Sequence, residues 1–224
     1  MRSLVLSLFA AVLLAPLPMA AQTPATVQME FTHPSLIPAH WTLSLHRDGS
    51  GYFRSQRGDA PADKKRMLAA VDVDRQVQLS ARFSTAIFAA ARRHNFFQQN
   101  CESHSKVAFQ GTKKLSYSGP DGQGSCTFNY SSDKEIQDLA ESLQGVAETI
   151  LAGARLELLL HHDRLGLDAE LEALECAAKE NQAQQLGAIR EILQRLSEDP
   201  ELMERVRKRA KALLARVEEE TRNG

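Results

Sequence analysis

Residues 41–53 read "WTLSLHRDGSGYF". Trp41, Leu43 and Leu45 alternate with Thr42, Ser44 and His46, the two-residue period of a strand with one buried face. "RDGSG" (47–51) is a hairpin turn signal, since Asp-Gly tolerates the positive φ that a tight turn needs. Tyr52-Phe53-Arg54-Ser55 continues as the return strand. This stretch therefore predicts an antiparallel sheet.

The pattern extends on both sides. Upstream, Val27-Gln28-Met29-Glu30-Phe31 alternates in the same way, and "HPSLIPAH" (33–40) carries two prolines and reads as a connection. Downstream, "RGDAPADKKR" (57–66) is polar and turn-rich and reads as a mobile loop. Val77-Gln78-Leu79 is strand-like and leads to Ser80, a plausible N-cap. Phe83, Ile87, Ala90, Ala91 and His94 recur at helical spacing, which predicts a helix near 81–94 with its apolar face inward. Arg92, Arg93 and His94 fall in its last turn, where positive charge suits the helix dipole. Three further strands are expected at Lys106–Phe109, Lys113–Tyr117 and Cys126–Tyr130, separated by "QGT" (110–112) and "SGPDGQGS" (118–125).

From Asp133 onward no strand signal remains. Ser132 and Glu135 form an S-x-x-E capping box. Ile136, Leu139, Leu143, Val146 and Ile150 then step by three and four, and the helix they define is expected to reach about Leu165. Gly145 and Gly153 weaken it and mark bends or close packing. A second helix is expected after Asp168, with Leu171 and Leu174 inward. A third carries Leu186, Ile189, Leu193 and Leu196. Asp199-Pro200-Glu201 reads as N-cap, first-turn proline and first-turn acid of a last helix, which lines up Leu202, Val206, Ala210, Leu213 and Val217. The expected fold class is α+β: an antiparallel sheet with one packed helix (22–132), then an all-helical C-terminal extension (133–224). The long helix could serve both parts.

The ends and composition bound the compartment. The chain opens "MRSLVLSLFAAVLLAPLPMAAQ". Arg2, the uncharged apolar run Leu4–Leu14, helix-breaking Pro16 and Pro18, and small Ala20-Ala21 have the layout of a secretory signal peptide, residues 1–21. The run is shorter than the ~20 apolar residues that span a bilayer. A signal-anchor is the alternative. No cysteine sits at the junction for lipid attachment, and the opening segment carries no Arg-Arg pair. The expectation is a soluble protein in a periplasm or outside the cell. The full chain has a net charge of −1; removing 1–21 takes away one arginine and no acid, so the remainder stays near neutral. That argues against bulk nucleic-acid binding.

Three cysteines are present. In an antiparallel meander the starts of the first and third strands share one end. Cys101 precedes the expected 106–109 strand and Cys126 opens the 126–130 strand, so these two are read as a disulfide, worth ~3–4 kcal/mol in the chain-entropy picture. Cys176 is left over on a helix. It reads as a buried inert thiol, with an intermolecular disulfide as the alternative.

No motif marks a reaction. "HHD" (161–163) follows a leucine run and precedes Gly166 and Leu167. Adjacent histidines point about 100° apart on a helix and do not share a metal easily, whereas a helical metal pair wants i, i+4 spacing. The stretch therefore reads as a helix end closed by Gly166 in a Schellman-type turn. His33, His40 and His46 lack ligand-type spacing. "HRD" (46–48) mimics part of a kinase catalytic loop without its companions. "NYS" (129–131) fits a glycosylation acceptor by pattern alone. No catalytic, cofactor-binding or metal residue is assigned and no cofactor is expected. The densest basic cluster, "RVRKRAKALLAR" (205–216), offers Arg205, Lys208, Arg209 and Lys211 as a candidate partner surface. Glu201–Arg205 and Glu204–Lys208 are spaced to pair along it. A solvated amphipathic face is the plainer reading; an acidic protein or an anionic membrane surface is the sharper one.

The order of strand, DG turn and strand (Trp41–Phe53), V-x-L-S opening a helix that ends "HNFF" (Val77–Phe97), and a meander (Val107–Tyr130) resembles small secreted bacterial α+β domains that are uncharacterised. The resemblance covers about half of the chain and implies a compartment and a fold, with no activity. The functional expectation is a non-enzymatic binding or interaction module acting through its helical C-terminal region. Partners would be a protein or a second copy, with no nucleic acid. An exported hydrolase with a cleft between sheet and helices, or a structural homo-oligomer, is the alternative.

Overall fold

A computed structural model describes residues 24–56, 58 and 72–222. The expected signal peptide, and all of the 57–66 loop but Gly58, lie outside the described residues. Six strands form one antiparallel sheet: β1 (Thr26–Thr32), β2 (His40–His46), β3 (Ser50–Gln56), β4 (Asp74–Gln78), β5 (Thr112–Gly119) and β6 (Gly122–Phe128). Their order is β4-β3-β2-β1-β5-β6. The hairpin is in the expected register, with Leu43 opposite Phe53 and Gly49 at φ 83° in the turn. Alternation sorts the faces: Val27, Met29, Phe31, Trp41, Leu43, Leu45, Phe53, Leu115, Tyr117 and Phe128 are buried.

Two helices cover that face. α1 (Ala81–Arg93) starts at Ser80, whose hydroxyl accepts from the Phe83 N–H as the sequence predicts, and buries Ile87, Phe88, Ala90 and Ala91. α2 (Lys134–His162) is the long helix. Its first half places Ile136, Leu139, Ala140, Leu143 and Ile150 in the same core as the sheet. Its second half gives Ala152, Leu156 and Leu160 to a second core, shared with α3 (Leu167–Lys179), a 3-10 turn (Leu186–Ile189), α4 (Arg190–Glu198) and α5 (Glu204–Arg222). α2 is thus common to both cores.

The two glycines of α2 mark close packing within one continuous helix. A Cβ at Gly153 would stand 3.1 Å from Ile189 Cβ and closer still to Cγ2. At Gly145 the 180s loop crosses the helix: the Gln184 N–H donates to the Gly145 carbonyl (3.1 Å), and the Thr149 hydroxyl donates to the Gln184 carbonyl (2.7 Å).

The structure corrects several local expectations. Lys106–Phe109 is not a strand. β5 is already paired with β1 on one side and β6 on the other. Asn129 satisfies the 106–110 stretch through its side chain instead, accepting from the Gln110 N–H (2.6 Å) and donating to the Ala108 carbonyl (3.1 Å). The Cys101–Cys126 disulfide is present. Its geometry comes from the 98–103 segment running beside β6, where the Ser103 N–H donates to the Tyr130 carbonyl (2.8 Å). The N-cap of α2 is Asp133, one residue later than expected. It accepts from the Glu135 and Ile136 N–H groups, while Ser132 meets the Ser103 hydroxyl. Glu135 is committed to Arg93 and His94, so no capping box closes. α2 ends at Asp163. Gly166 is right-handed (φ −72°) inside a 3-10 turn, and no Schellman turn forms; Leu167 opens α3 fully buried. Asp199 accepts from the Glu201 N–H (2.9 Å) in a local turn, and α5 begins only at Glu204. Leu202 is buried before the helix starts. Cys176 is exposed, not buried.

Candidate functional site

A concavity lies between the β1–β2 connection and α2. Its volume is about 880 Å³, within the usual range for ligand sites of roughly 300–1,000 Å³. Three pieces of chain build it. The sheet contributes Phe31 and Trp41, which face each other across the β1–β2 ladder with ring centroids 5.4 Å apart. The 33–39 connection contributes Leu36, Ile37 and Pro38; it is closed by the His33 N–H donating to the Ala39 carbonyl (2.8 Å). The opposite wall is the α2 face with Asp138, Glu141, Ser142, Gln144, Ala147, Glu148 and Leu151, continued by Glu180, Asn181, Gln182 and Gln184. The floor is therefore aromatic and aliphatic, and the wall is carboxylate and amide.

The apolar surface continues past the lip. Leu36 is 47% exposed and Phe109 55%. The Phe109 ring lies 5.2 Å from the His33 ring, and the Leu36 N–H donates to the His33 carbonyl (3.1 Å). The 106–109 stretch, freed from strand pairing, thus presents its aromatic beside the groove.

The wall carboxylates differ in partners. Asp138 pairs with Lys134 (2.6 Å) and Glu148 with Arg155 (2.9 Å). Glu141 accepts from the Gln137 amide (2.8 Å). Neither Glu141 nor Glu180 has a cation within ion-pair distance among the described residues. Lys113 is buried on the inner sheet face, with its Nζ donating to the Asn129 carbonyl (2.6 Å). Burial lowers its pKa, and the fields of Glu141 and Glu102 partly offset this. Lys113 shares one face of β5 with the buried Leu115 and Tyr117.

The predicted partner surface takes a different form. Arg209 reaches Asp168 (3.1 Å), Glu172 (3.1 Å) and Glu175 (2.6 Å) on α3. Arg205 pairs with Asp168 (2.9 Å), while Glu201, its expected partner, pairs with Arg164. Lys208 pairs with Glu204 as the spacing predicts. Lys211 is exposed and has no ion pair among the described residues. Much of the cluster's charge is therefore spent holding α5 onto α3.

The histidines do not converge. His40 and His46 bond to Thr32 and Thr26 at opposite ends of β2. His161 and His162 are exposed on the last turn of α2 with tilted rings 6.4 Å apart. No group of three or more potential metal ligands occurs among the described residues. Two polar clusters instead tie elements together. The Asp121 carboxylate accepts from Tyr117, Arg47 and Arg92, joining two hairpin turns to α1, and these bonds hold its pKa well below the usual carboxylate range. His94 sits between Asp133 (3.2 Å) and Glu135 (2.8 Å) at the α1–α2 junction.

No described protein family matches the chain, and no curated protein matches it significantly in sequence. No helix among the described residues is long and apolar enough to cross a membrane.

Proposed function

We propose that this is an exported, non-enzymatic interaction module whose binding site is the groove between the β1–β2 connection and the α2 wall. The observation that carries the reading is the groove itself: an aromatic floor, an amide and carboxylate wall, and an exposed apolar lip at Leu36. Apolar contact area with a few convergent polar groups is what a recognition site requires. Nucleophilic hydrolysis requires a nucleophile within reach of a base. The described lining holds one hydroxyl, Ser142, and no histidine, lysine or cysteine. The reading keeps the helical region as part of the binding surface but moves the site from α5 to α2. The pairing of Arg205 and Arg209 with α3 supports that move.

Site-specific photo-crosslinking in the native host tests it. A benzophenone amino acid is placed at Leu36, on the groove lip, or at Lys211, on α5. Adducts to a second protein from Leu36 are expected. Adducts from Lys211 alone would return the site to the basic helix, and adducts only to another copy would favour the homo-oligomer. Absence of adducts at both positions would overturn the binding reading.

A further inference from the structure

We propose that the groove takes a cationic, leucine-type peptide segment of a partner protein, with Glu141 and Glu180 receiving its basic side chains; this rests on the groove reading above. The groove is complementary to positive charge presented over an apolar base. Four carboxylates line the groove (Asp138, Glu141, Glu148, Glu180) and no lysine or arginine does. Two of them are balanced from outside the lining, by Lys134 and Arg155. Glu141 and Glu180 have no cation within ion-pair distance among the described residues, and Lys113 is turned to the Asn129 carbonyl. Like charges along one wall of a cleft sum to a negative potential, which attracts cations and rejects anions.

A free polyamine would satisfy the charge but not the rest of the lining. The exposed Leu36 and the half-buried Ile37 offer apolar area to side chains at the rim, above Phe31, Trp41, Pro38 and Leu151, which are buried at the base. Asn181, Gln182 and Gln184 supply amides able to bond a peptide backbone. An extended peptide alternating basic and aliphatic side chains uses all of these features, pointing its aliphatic side chains to the sheet and its basic ones to α2.

Trp41 is the only tryptophan in the chain and lines the groove, so its emission reports occupancy. The probes are acetylated, amidated pentapeptides: leucine–lysine–leucine–arginine–leucine, its glutamine counterpart, its glutamate counterpart, and spermidine as the polyamine control. The mature chain is titrated with each. The cationic peptide is expected to shift Trp41 emission saturably and to bind at least about tenfold more tightly than the glutamine peptide, a preference that falls as salt rises. Glu141→Gln combined with Glu180→Gln is expected to erase that preference, so that the cationic and glutamine peptides bind alike. Circular dichroism of the variant checks that it folds. Equal binding of the cationic and glutamine peptides would overturn the charge assignment while leaving the groove reading intact. Binding of spermidine without any peptide would overturn the peptide class. Failure of every probe to move Trp41 would overturn this proposal, and the Leu36 crosslinks would then decide separately whether the groove is a site at all.

Discussion

Gly153 offers the sharpest test of how the helical region is fastened to the rest. On an exposed helix face, Gly→Ala stabilises by roughly 1 kcal/mol, because alanine loses less backbone entropy. Gly153 is not on such a face. A Cβ there would stand 3.1 Å from Ile189 Cβ and overlap Cγ2, and Ile189 is itself buried. Overpacking of this kind costs about 1–3 kcal/mol. The two effects oppose each other and packing wins, so Gly153→Ala is expected to destabilise by about 1 kcal/mol. Ile189→Ala alone should cost about 3 kcal/mol, through lost burial and the cavity left behind. In the double variant the clash is gone and the helix gain returns. The pair should then cost about 2 kcal/mol rather than the roughly 4 expected of independent sites. Urea denaturation followed by far-ultraviolet circular dichroism, with linear extrapolation, measures all three. The reasoning fails if Gly153→Ala raises stability by the full helix-propensity amount, or if the two substitutions simply add.

Other expectations follow from the same contacts. Because α2 belongs to both cores, Trp41 fluorescence on the sheet side and helix circular dichroism should show one coincident unfolding transition; two separated midpoints would mean that the cores unfold independently. Replacing both Cys101 and Cys126 by serine opens a closed loop with a sequence separation of 25, and should lower stability by ~3.5 kcal/mol; an unchanged denaturation midpoint would argue against it. Asp121 and Glu135 both have lowered folded-state pKa values, Asp121 through Tyr117 and then Arg92, Glu135 through Arg93 and then His94. Their contribution is therefore present above the unfolded-state values of 3.8 and 4.5 and is lost as pH falls through the lower folded values. Asp121→Asn should flatten the acid side of the stability profile; a steeper acid limb would contradict the sign. N-terminal sequencing of protein recovered from the exported fraction should begin at Ala21 or Gln22, and recovery of the intact Met1 end there would refute the cleavage expectation.

The periodicities of this chain settled its elements. Alternation at 27–31 and 41–46 and the Asp48-Gly49 turn specified antiparallel strands and their faces, because the side-chain period of a strand is fixed by its pleat. Three-and-four stepping from Ile136 to Ile150 specified a long helix, and Ser80 its shorter neighbour's start. The Cys101–Cys126 pair was also foreseen, although the strand topology behind it was not. Strand pairing beyond a hairpin was decided by tertiary structure. Lys106–Phe109 has β-like composition, but both edges of β5 were taken, and Asn129 satisfied the backbone of that stretch. Helix termini moved by one to several residues because the capping groups had other partners: Glu135 went to α1, and Asp199 closed a local turn.

The site shows the same division more strongly. Arg205, Lys208, Arg209 and Lys211 were visible as a basic run, but the acids of α3 that neutralise two of them lie more than thirty residues away in sequence. The groove had no sequence signature at all, because its floor, lip and wall come from residues 31–41, 138–151 and 180–184. Local pattern determines which face of an element is apolar, since that depends on backbone period alone. Whether two such faces close against each other or leave a cleft depends on which elements meet and at what distance. The crossing of the 180s loop over α2 at Gly145 is one such meeting, and it brings residues 180–184 into the groove wall.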